Sequence, residues 1–524
     1  MAGLQPPDGP QPGDVRSNED LTQATAEGLR WITYARIVVE IVLLGSMVLL
    51  ARLIPPAAFG IFAVVVIIQE LAFTMPSEGI GSAIVQRRTI ERRHLQGGLM
   101  LGLMMAACAA GIALLVAHLL ARPLYGDETA ELLMIATPCF LFGALAAVPL
   151  AVLRRRLDFA RMSKIEISGT ATRMGVTITL AIAGLDALAL VLGHLAGTVL
   201  ATAMAWASAP VPPPRWNRQA VRELLPYGGP ATLASIAWAG FRNGDYAIIG
   251  ARLGAAQAGF YWRAYQLAVE YQRKISAVMN QMAFPVLARA SGTNEMLALR
   301  RRMVRVLTAI LFPLLVLLAL VAPLAIPWLF GPNWEPAVVP TQILALGGAA
   351  TLVIDAVGPA LMAAGRARAL LGYGVGHFVV YAGAVFVVAS KGLTAVAIAA
   401  AVVHVIFLII AYQVMLGAHV GRALRSLWHD VAPAASCCVP LAAAGGAAEW
   451  FLRDTGVPAL GQMTAIALFG GTAYLVSMRV AFPDSWRDLD ALRRRVVPAR
   501  LTRAVGRLVP PLLLARARRS SGPA

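Results

Sequence analysis

"ARLIPPAAFG" occupies residues 51–60 and "ARLGAAQAGF" occupies residues 251–260. Each follows an apolar segment, each leads into another, and each carries an arginine near its start, Arg52 and Arg252. Apolar stretches of about 20 residues recur on both sides of them, and each is long enough to cross a hydrocarbon core as a helix. Gly and Pro lie within those stretches, which membrane helices tolerate and soluble helices do not. Of 524 residues 58% are hydrophobic and 14% charged, with a mean hydropathy of +0.69. Soluble domains carry about a quarter charged residues, so this chain lacks the polar surface to cover itself in water. The fold class is an all-α polytopic membrane protein.

The length criterion predicts about 14 spans: 30–51, 58–79, 97–120, 130–152, 163–185, 187–209, 227–250, 255–282, 303–327, 337–362, 369–390, 392–416, 430–451 and 457–479. The connections alternate in charge. Those after even-numbered spans hold clusters such as Arg87, Arg88, Arg92 and Arg93, or Arg300, Arg301, Arg302 and Arg305. The others hold almost single basic residues: Arg52, Arg122, Arg252, Lys391 and Arg453. Cytoplasmic loops attract Lys and Arg, so both termini are expected in the cytoplasm of an inner-membrane protein. The net charge of +18 is mostly this topology, and no nucleic-acid partner is expected. Residues 1–28 are polar and rich in Pro and Gly, without the pattern of a signal peptide. They read as a disordered tail. Residues 481–524 form a basic cytoplasmic tail, either lying on the anionic leaflet or simply solvated.

The two quoted stretches join spans 1 to 2 and 7 to 8. Six helices separate them, an even number, so both copies share one orientation. "PLYGDETAELLMIATP" (123–138) and "WLFGPNWEPAVVPTQ" (328–342) recur at a similar offset, as do the basic loops after spans 4 and 10. The chain therefore reads as two parallel six-helix lobes, 29–209 and 227–416, joined by a cytoplasmic linker, 210–226, with two extra helices in 417–480.

At this point the chain resembles a family. "ARLIPPAAFGIFAVV", "EGIGSAIVQRR", "FRNGDYAIIGARLGAAQAGFYWRAYQL", "MAFPVLARA" and "LFGPNWEPAVVPTQILALG" look like the polysaccharide-transport branch, the Wzx/WzxC-type flippases, of the multidrug/oligosaccharidyl-lipid/polysaccharide (MOP) exporter superfamily. The resemblance covers roughly residues 28–480 and is most specific over 241–290. It implies a V-shaped pair of six-helix lobes. It also implies translocation of undecaprenyl-diphosphate-linked sugar repeat units across the bacterial inner membrane, without a cofactor. A polysaccharide polymerase and co-polymerase are the implied partners, beside membrane lipid.

Ionisable residues inside spans point to a site. One at mid-bilayer costs about 2.5–3.5 kcal/mol, so it faces a cavity or a partner. Such residues concentrate in spans 1, 2, 7 and 8. A diphosphate needs cationic donors, and Arg offers a fork that fits phosphate oxygens. Arg36, Arg242, Arg263 and Arg273 are the expected cationic lining. Glu70, Asp245, Glu270 and Asp355 are candidates for ion or proton coupling, and Arg52 and Arg252 for a periplasmic gate or hinge. Arg36–Glu40 and Arg242–Asp245 read equally as intrahelical ion pairs, and Arg52 and Arg252 as interfacial anchors. His194, His377 and His404 offer proton relay or plain packing. Trp31, Trp262, Trp328 and Trp334 fit an aromatic belt.

Other functions fit less well. None of the three lysines follows a Gly, so no phosphate-binding GK[ST] loop is present to make the chain an ATPase. No HExxH or clustered His/Cys set suggests a metal hydrolase, and no metal site is expected. A sugar polymerase resembles the composition but not the two-lobe repeat. A cation-coupled drug exporter of the MATE type and a peptidoglycan-precursor flippase share the expected architecture and remain alternatives.

Overall fold

The computed structural model describes residues 18–276, 287, 292–358, 367–416 and 423–496, and among these every regular element is a helix. The first, α1 (Asn18–Leu53), leads into α2, which runs Pro56–Pro76, passes through a π turn at Ser77–Gly81 and continues as Ser82–Gln86. Then come α3 (Arg92–Tyr125), α4 (Asp127–Arg155), α5 (Phe159–Ile182), α6 (Asp186–Ser208) and α7 (Arg218–Leu253). The next helix, α8, is Ala255–Tyr265, continues through a π turn, Gln266–Glu270, and runs on as helix over 271–276. It is followed by α9 (Thr293–Phe330), α10 (Val338–Asp355), α11 (Ala367–Val388) and α12 (Leu393–Ile410). Last are α13 (Ala423–Leu452), α14 (Ala459–Ala481) and a short amphipathic α15 (Pro483–Val496).

Each expected span overlaps one of α1 to α14 in order. Among the described residues, 11 helices are long and apolar enough to cross a membrane. The three that fall short are α5, α7 and α8. They carry Lys164, Glu166 and Arg173, then Arg242 and Asp245, then Arg263, Glu270, Arg273 and Lys274. Most of the loop after α8 and the tail beyond Val496 lie outside the described residues.

Packing divides the described residues into two compact units. The first holds everything up to Arg263 together with Leu329–Pro336 and Val385–Leu393, and the second holds the remainder. Helix α7 packs along α2 and α3 in the first unit.

Within the first unit the two repeated stretches lie against each other. A Cβ added to Gly60 would overlap the carbonyl oxygen of Ala255 and fall 2.8 Å from the amide nitrogen of Gly259. A Cβ added to Gly259 would overlap the carbonyl oxygen of Pro56 and fall 3.1 Å from the amide nitrogen of Gly60. Each glycine therefore receives the carbonyl that stands four residues before the other. Small residues allow this kind of backbone approach between membrane helices, where hydrophobic exclusion drives nothing. The two copies enter the contact differently. Pro56 at the first position of α2 has the fixed φ of a helix start, whereas Gly254, at φ +87°, ends α7 and lets α8 begin at once. Farther along α2, a Cβ on Gly79 or Gly228 would fall 3.1–3.2 Å from the other's carbonyl oxygen, and one on Gly79 would overlap the Thr232 hydroxyl.

A polar cluster holds the other end of α7. The Nδ1 atom of His94 accepts the Glu91 amide at 2.9 Å, which leaves the proton on Nε2. Nε2 then donates to the Glu223 carboxylate at 2.7 Å, and Arg87 reaches the same oxygen at 2.6 Å. These contacts, led by the His94 hydrogen bond, hold the Glu223 carboxyl below its ordinary value. Arg155 closes the neighbouring turn by donating to the carbonyls of Val85, Arg87 and Arg88.

In the second unit the basic run of α9 is more than a topology signal. Arg300, 2% exposed, bonds Asp430 at 2.8 Å and the Tyr412 hydroxyl at 2.8 Å, and Arg301 approaches the other Asp430 oxygen at 3.3 Å. Arg302 and Arg305 both pair with Asp488 of α15, at 3.0 and 2.9 Å. Trp486 and Leu489 of α15 pack on the adjoining apolar core. The expected basic tail thus begins as a docked helix.

Two outcomes test this packing. Gly60→Ala and Gly259→Ala should each destabilise the purified protein by about 1–3 kcal/mol or prevent its accumulation, because backbone atoms must move. Gly45→Ala and Gly111→Ala, which meet open space, should be neutral by thermal melting in detergent. Second, a carboxyl held below its unfolded value stabilises the fold above that value and ceases to do so as pH falls through the lowered one. Glu223→Gln should therefore remove part of the acid destabilisation seen in melting curves taken from about pH 7 to about pH 3.

Candidate functional site

Helix α2 carries Glu70, Thr74, Glu78 and Ser82 at steps of four. In a regular α-helix each such step drifts by about 40°, so the fourth residue would stand about 120° from the first. A π turn admits an extra residue and turns that drift back. The turn at Ser77–Gly81 sits inside this series, and all four side chains line one cavity of about 460 Å³. The opposite wall belongs to α7: Tyr227, Ser235 and three alanines, Ala231, Ala234 and Ala239, whose small size leaves the space open. Asn243, 6% exposed, donates to Glu70 Oε2 at 2.9 Å, and Ser82 donates to Glu78 Oε2 at 3.4 Å. The cavity carries carboxyl and hydroxyl groups among apolar side chains and lies wholly within the first unit.

The expected cationic residues are spread more widely. Arg36 is exposed on α1, and the side chain of Arg242 lies outside the described residues. Arg263 is 1% exposed and stands within cation–π range of four rings: Phe59 at 4.6 Å, Trp334 at 5.2 Å, and Trp262 and Phe330 at 5.3 Å. In this conformation Arg263 faces aromatic packing and not open space. Trp334 corrects the aromatic-belt expectation. It is fully buried, and its Nε1 donates to the Ala51 carbonyl at 2.8 Å, while Trp31 and Trp328 are exposed. Arg52 Nε donates to the Leu329 carbonyl at 2.9 Å, and Arg252 lies 4.0 Å over the Phe386 ring. Both repeated arginines therefore fasten neighbouring chain segments. Asp245 is buried, and one of its oxygens accepts the Tyr246 amide at 3.0 Å.

Arg273, Glu270 and Asp355 come together in the second unit. Arg273 donates to the Tyr265 hydroxyl at 2.9 Å, lies 3.8 Å from Glu270 Oε2, and is coupled electrostatically to Asp355 at the end of α10. Nearby, His377 stacks on Phe407 at 4.6 Å and meets His404 at 5.4 Å, while His404 stacks on Tyr381 at 5.4 Å. The arrangement holds groups able to carry a proton beside a charged pair. Among the described residues no cluster of His, Cys, Asp and Glu could hold a metal ion.

Sequence reasoning singled out Glu70 but not the cavity, since Tyr227, Ser235 and Asn243 join it only because α7 packs on α2. The aromatic box around Arg263 draws on three distant segments and left no local signal.

Together these features define a many-helix membrane transporter with a polar cavity set among its helices. Residues 49–339 match the family described as polysaccharide biosynthesis protein, and the chain belongs to that family. The lipopolysaccharide biosynthesis protein WzxC of Escherichia coli K12 is 27% identical over 421 residues, 78% of this chain and 85% of that one. The teichuronic acid biosynthesis protein TuaB of Bacillus subtilis 168 is 25% identical over 388 residues, 71% and 78% of the two chains. The fold is that of the MOP exporters. A structure of the lipid II flippase MurJ, inward closed, superposes with a TM-score of 0.69 at 13% identity, covering 88% of this chain and 99% of that one. An inward-facing MATE multidrug transporter superposes at 0.53 with 16% identity, covering 74% and 95%.

Arg263→Gln should lower the thermal stability of the purified protein by about 2 kcal/mol, since it empties a desolvated aromatic box of its charge. Unchanged melting together with weakened cargo binding would instead place Arg263 on the cargo path.

Proposed function

We propose that the chain is a flippase that moves undecaprenyl-diphosphate-linked oligosaccharide units across the bacterial inner membrane by alternating access. The match to a polysaccharide-biosynthesis family over more than half the chain carries this reading. The polar cavity between α2 and α7 supports it, since a hydroxyl-rich cargo must be shielded from hydrocarbon while it crosses. A polysaccharide polymerase with its co-polymerase is the consumer such a product requires. The arginine alternation between loops supports cytoplasmic termini. The group around Arg273 and Asp355 supports coupling to an ion or proton, because charges at that depth are kept for such work. Arg242 and Arg273 are the arginines we assign to the diphosphate.

A second reading draws on one observation. The negative charge of the Glu70–Glu78 cavity suits a cationic drug, as in a MATE-type exporter, and the fold is compatible with it.

Complementation of a deletion strain separates the two. The deletion should lose surface polymer and accumulate lipid-linked units on the cytoplasmic leaflet, and the intact gene should restore both. Arg273→Ala at equal membrane level should restore about tenfold less. Normal polymer in the deletion strain, with new susceptibility to cationic drugs, would select the exporter.

A further inference from the structure

We infer that Arg173 of α5, flanked by His194 of α6, is an anion-binding residue of the first unit and takes phosphate groups of the cargo's diphosphate. This rests on the flippase reading above and adds a residue to the arginines assigned there.

Depth is the first argument. Arg173 stands nine residues beyond Lys164 and nine before the end of α5 at Ile182, about 14 Å from each at the rise of an α-helix. That is the middle of a hydrocarbon layer about 30 Å thick. A guanidinium is kept at such depth only where it faces a cavity or a partner.

Partnership is the second. Rings enclose Arg263, Arg273 meets Tyr265 and Glu270, and Arg300 is bonded to Asp430 and Tyr412. The Arg173 guanidinium makes no hydrogen bond and no ion pair among the described residues, and no carboxylate among them acts on it. Its Nε is buried, yet the residue as a whole is only half-buried, so part of the side chain reaches open space. Hydrocarbon is a poor neighbour for that part and an anion a good one.

Placement is the third. Helix α6 turns two glycines toward Arg173. A Cβ added to Gly193 would fall 2.8 Å from the Arg173 carbonyl oxygen, and one added to Gly197 would fall 2.8 Å from the Arg173 Cβ. With no side chain between the helices, the stem of the arginine is seated directly on α6. His194 lies between those glycines, is coupled electrostatically to Arg173, and holds a buried Nδ1 without a hydrogen-bond partner. One turn before His194, Gln69 of α2 donates to the Val191 carbonyl at 3.4 Å and keeps a buried Oε1 without a partner. Buried polar atoms in native folds are nearly always bonded, and the exceptions mark places that serve a ligand or water. The arginine offers a planar fork that fits two phosphate oxygens, and the histidine ring can add a donor from the neighbouring helix.

A charge without a partner costs stability, and it persists where function needs it. Removing it should therefore spare the fold and harm the cargo, the reverse of what a structural arginine would show.

The full-length protein in lipid nanodiscs provides the test, with undecaprenyl diphosphate, neutral undecaprenol and inorganic phosphate as probes. Wild type should bind undecaprenyl diphosphate at least about tenfold more tightly than undecaprenol. Arg173→Gln should remove most of that difference, leave undecaprenol binding unchanged and melt no lower than wild type. Arg173→Lys, which keeps the charge and loses the fork, should fall between the two. Undecaprenyl diphosphate should also shield Arg173 of the wild-type protein from phenylglyoxal, read by mass spectrometry. If Arg173→Gln melts lower or fails to accumulate, this protection decides. Full discrimination in Arg173→Gln overturns the site and leaves the flippase reading intact. So do equal affinity of wild type for the two lipids and equal modification of Arg173 with and without undecaprenyl diphosphate. Protection by inorganic phosphate, with none by undecaprenyl diphosphate, would make this a site for a free ion and overturn the assignment to cargo. Binding of neither lipid by wild type overturns the flippase reading and this inference with it.

Discussion

Gly60 and Gly259 each receive a carbonyl oxygen from the other's helix, at a separation that leaves no room for a methyl group. Lipid tails are as apolar as leucine, so two helices gain nothing in a bilayer merely by touching. What holds them is the number of atoms brought into van der Waals contact, and that number depends on how closely the backbones approach. The glycine pair sets that approach for the first unit. It fixes where α2 runs beside α7 and α8, and the second pair, Gly79 with Gly228, fixes it again farther along. The cavity lined by Glu70 and Glu78 has its walls in the same two helices.

That contact also answers why a chain carries the same connection twice. The repeats are partners as well as copies. Arg52 and Arg252 fit this view, because each fastens its own hairpin to a later segment, Arg52 to Leu329 and Arg252 to Phe386. The two attachments differ in kind, one a hydrogen bond and the other a ring contact.

Much of the fold was legible in the sequence because the bilayer imposes a simple rule of length and polarity. Among the described residues eleven helices meet that rule, and α5, α7 and α8 do not. Deviations occurred where side chains do two things at once. The arginines at 300, 301, 302 and 305 read as a loop signal, yet they bind Asp430 and Asp488 on helices far downstream. Trp334 read as an interface anchor, yet it seals the box around Arg263. Both cases have one cause. A residue type at a span end has a familiar solitary use, and only the packed chain reveals its distant partner. The site was half legible for the same reason: charges in α2 could be seen, but not the face of α7 that turns them into a cavity wall.

The three helices too polar to qualify as spans alone, α5, α7 and α8, carry a consequence for biogenesis. A segment is released sideways from the insertion channel when its own side chains prefer lipid, and these three have little such preference. For α7 a partner is already made, whereas Arg263 and Arg273 of α8 also meet later residues, Phe330, Trp334 and Asp355. Asn243 of α7 meets Glu70, which has been waiting in the membrane since the second helix was made. The order of synthesis therefore matters for α7: a circular rearrangement that placed it first would present Asn243 to the membrane before Glu70 was there to meet it.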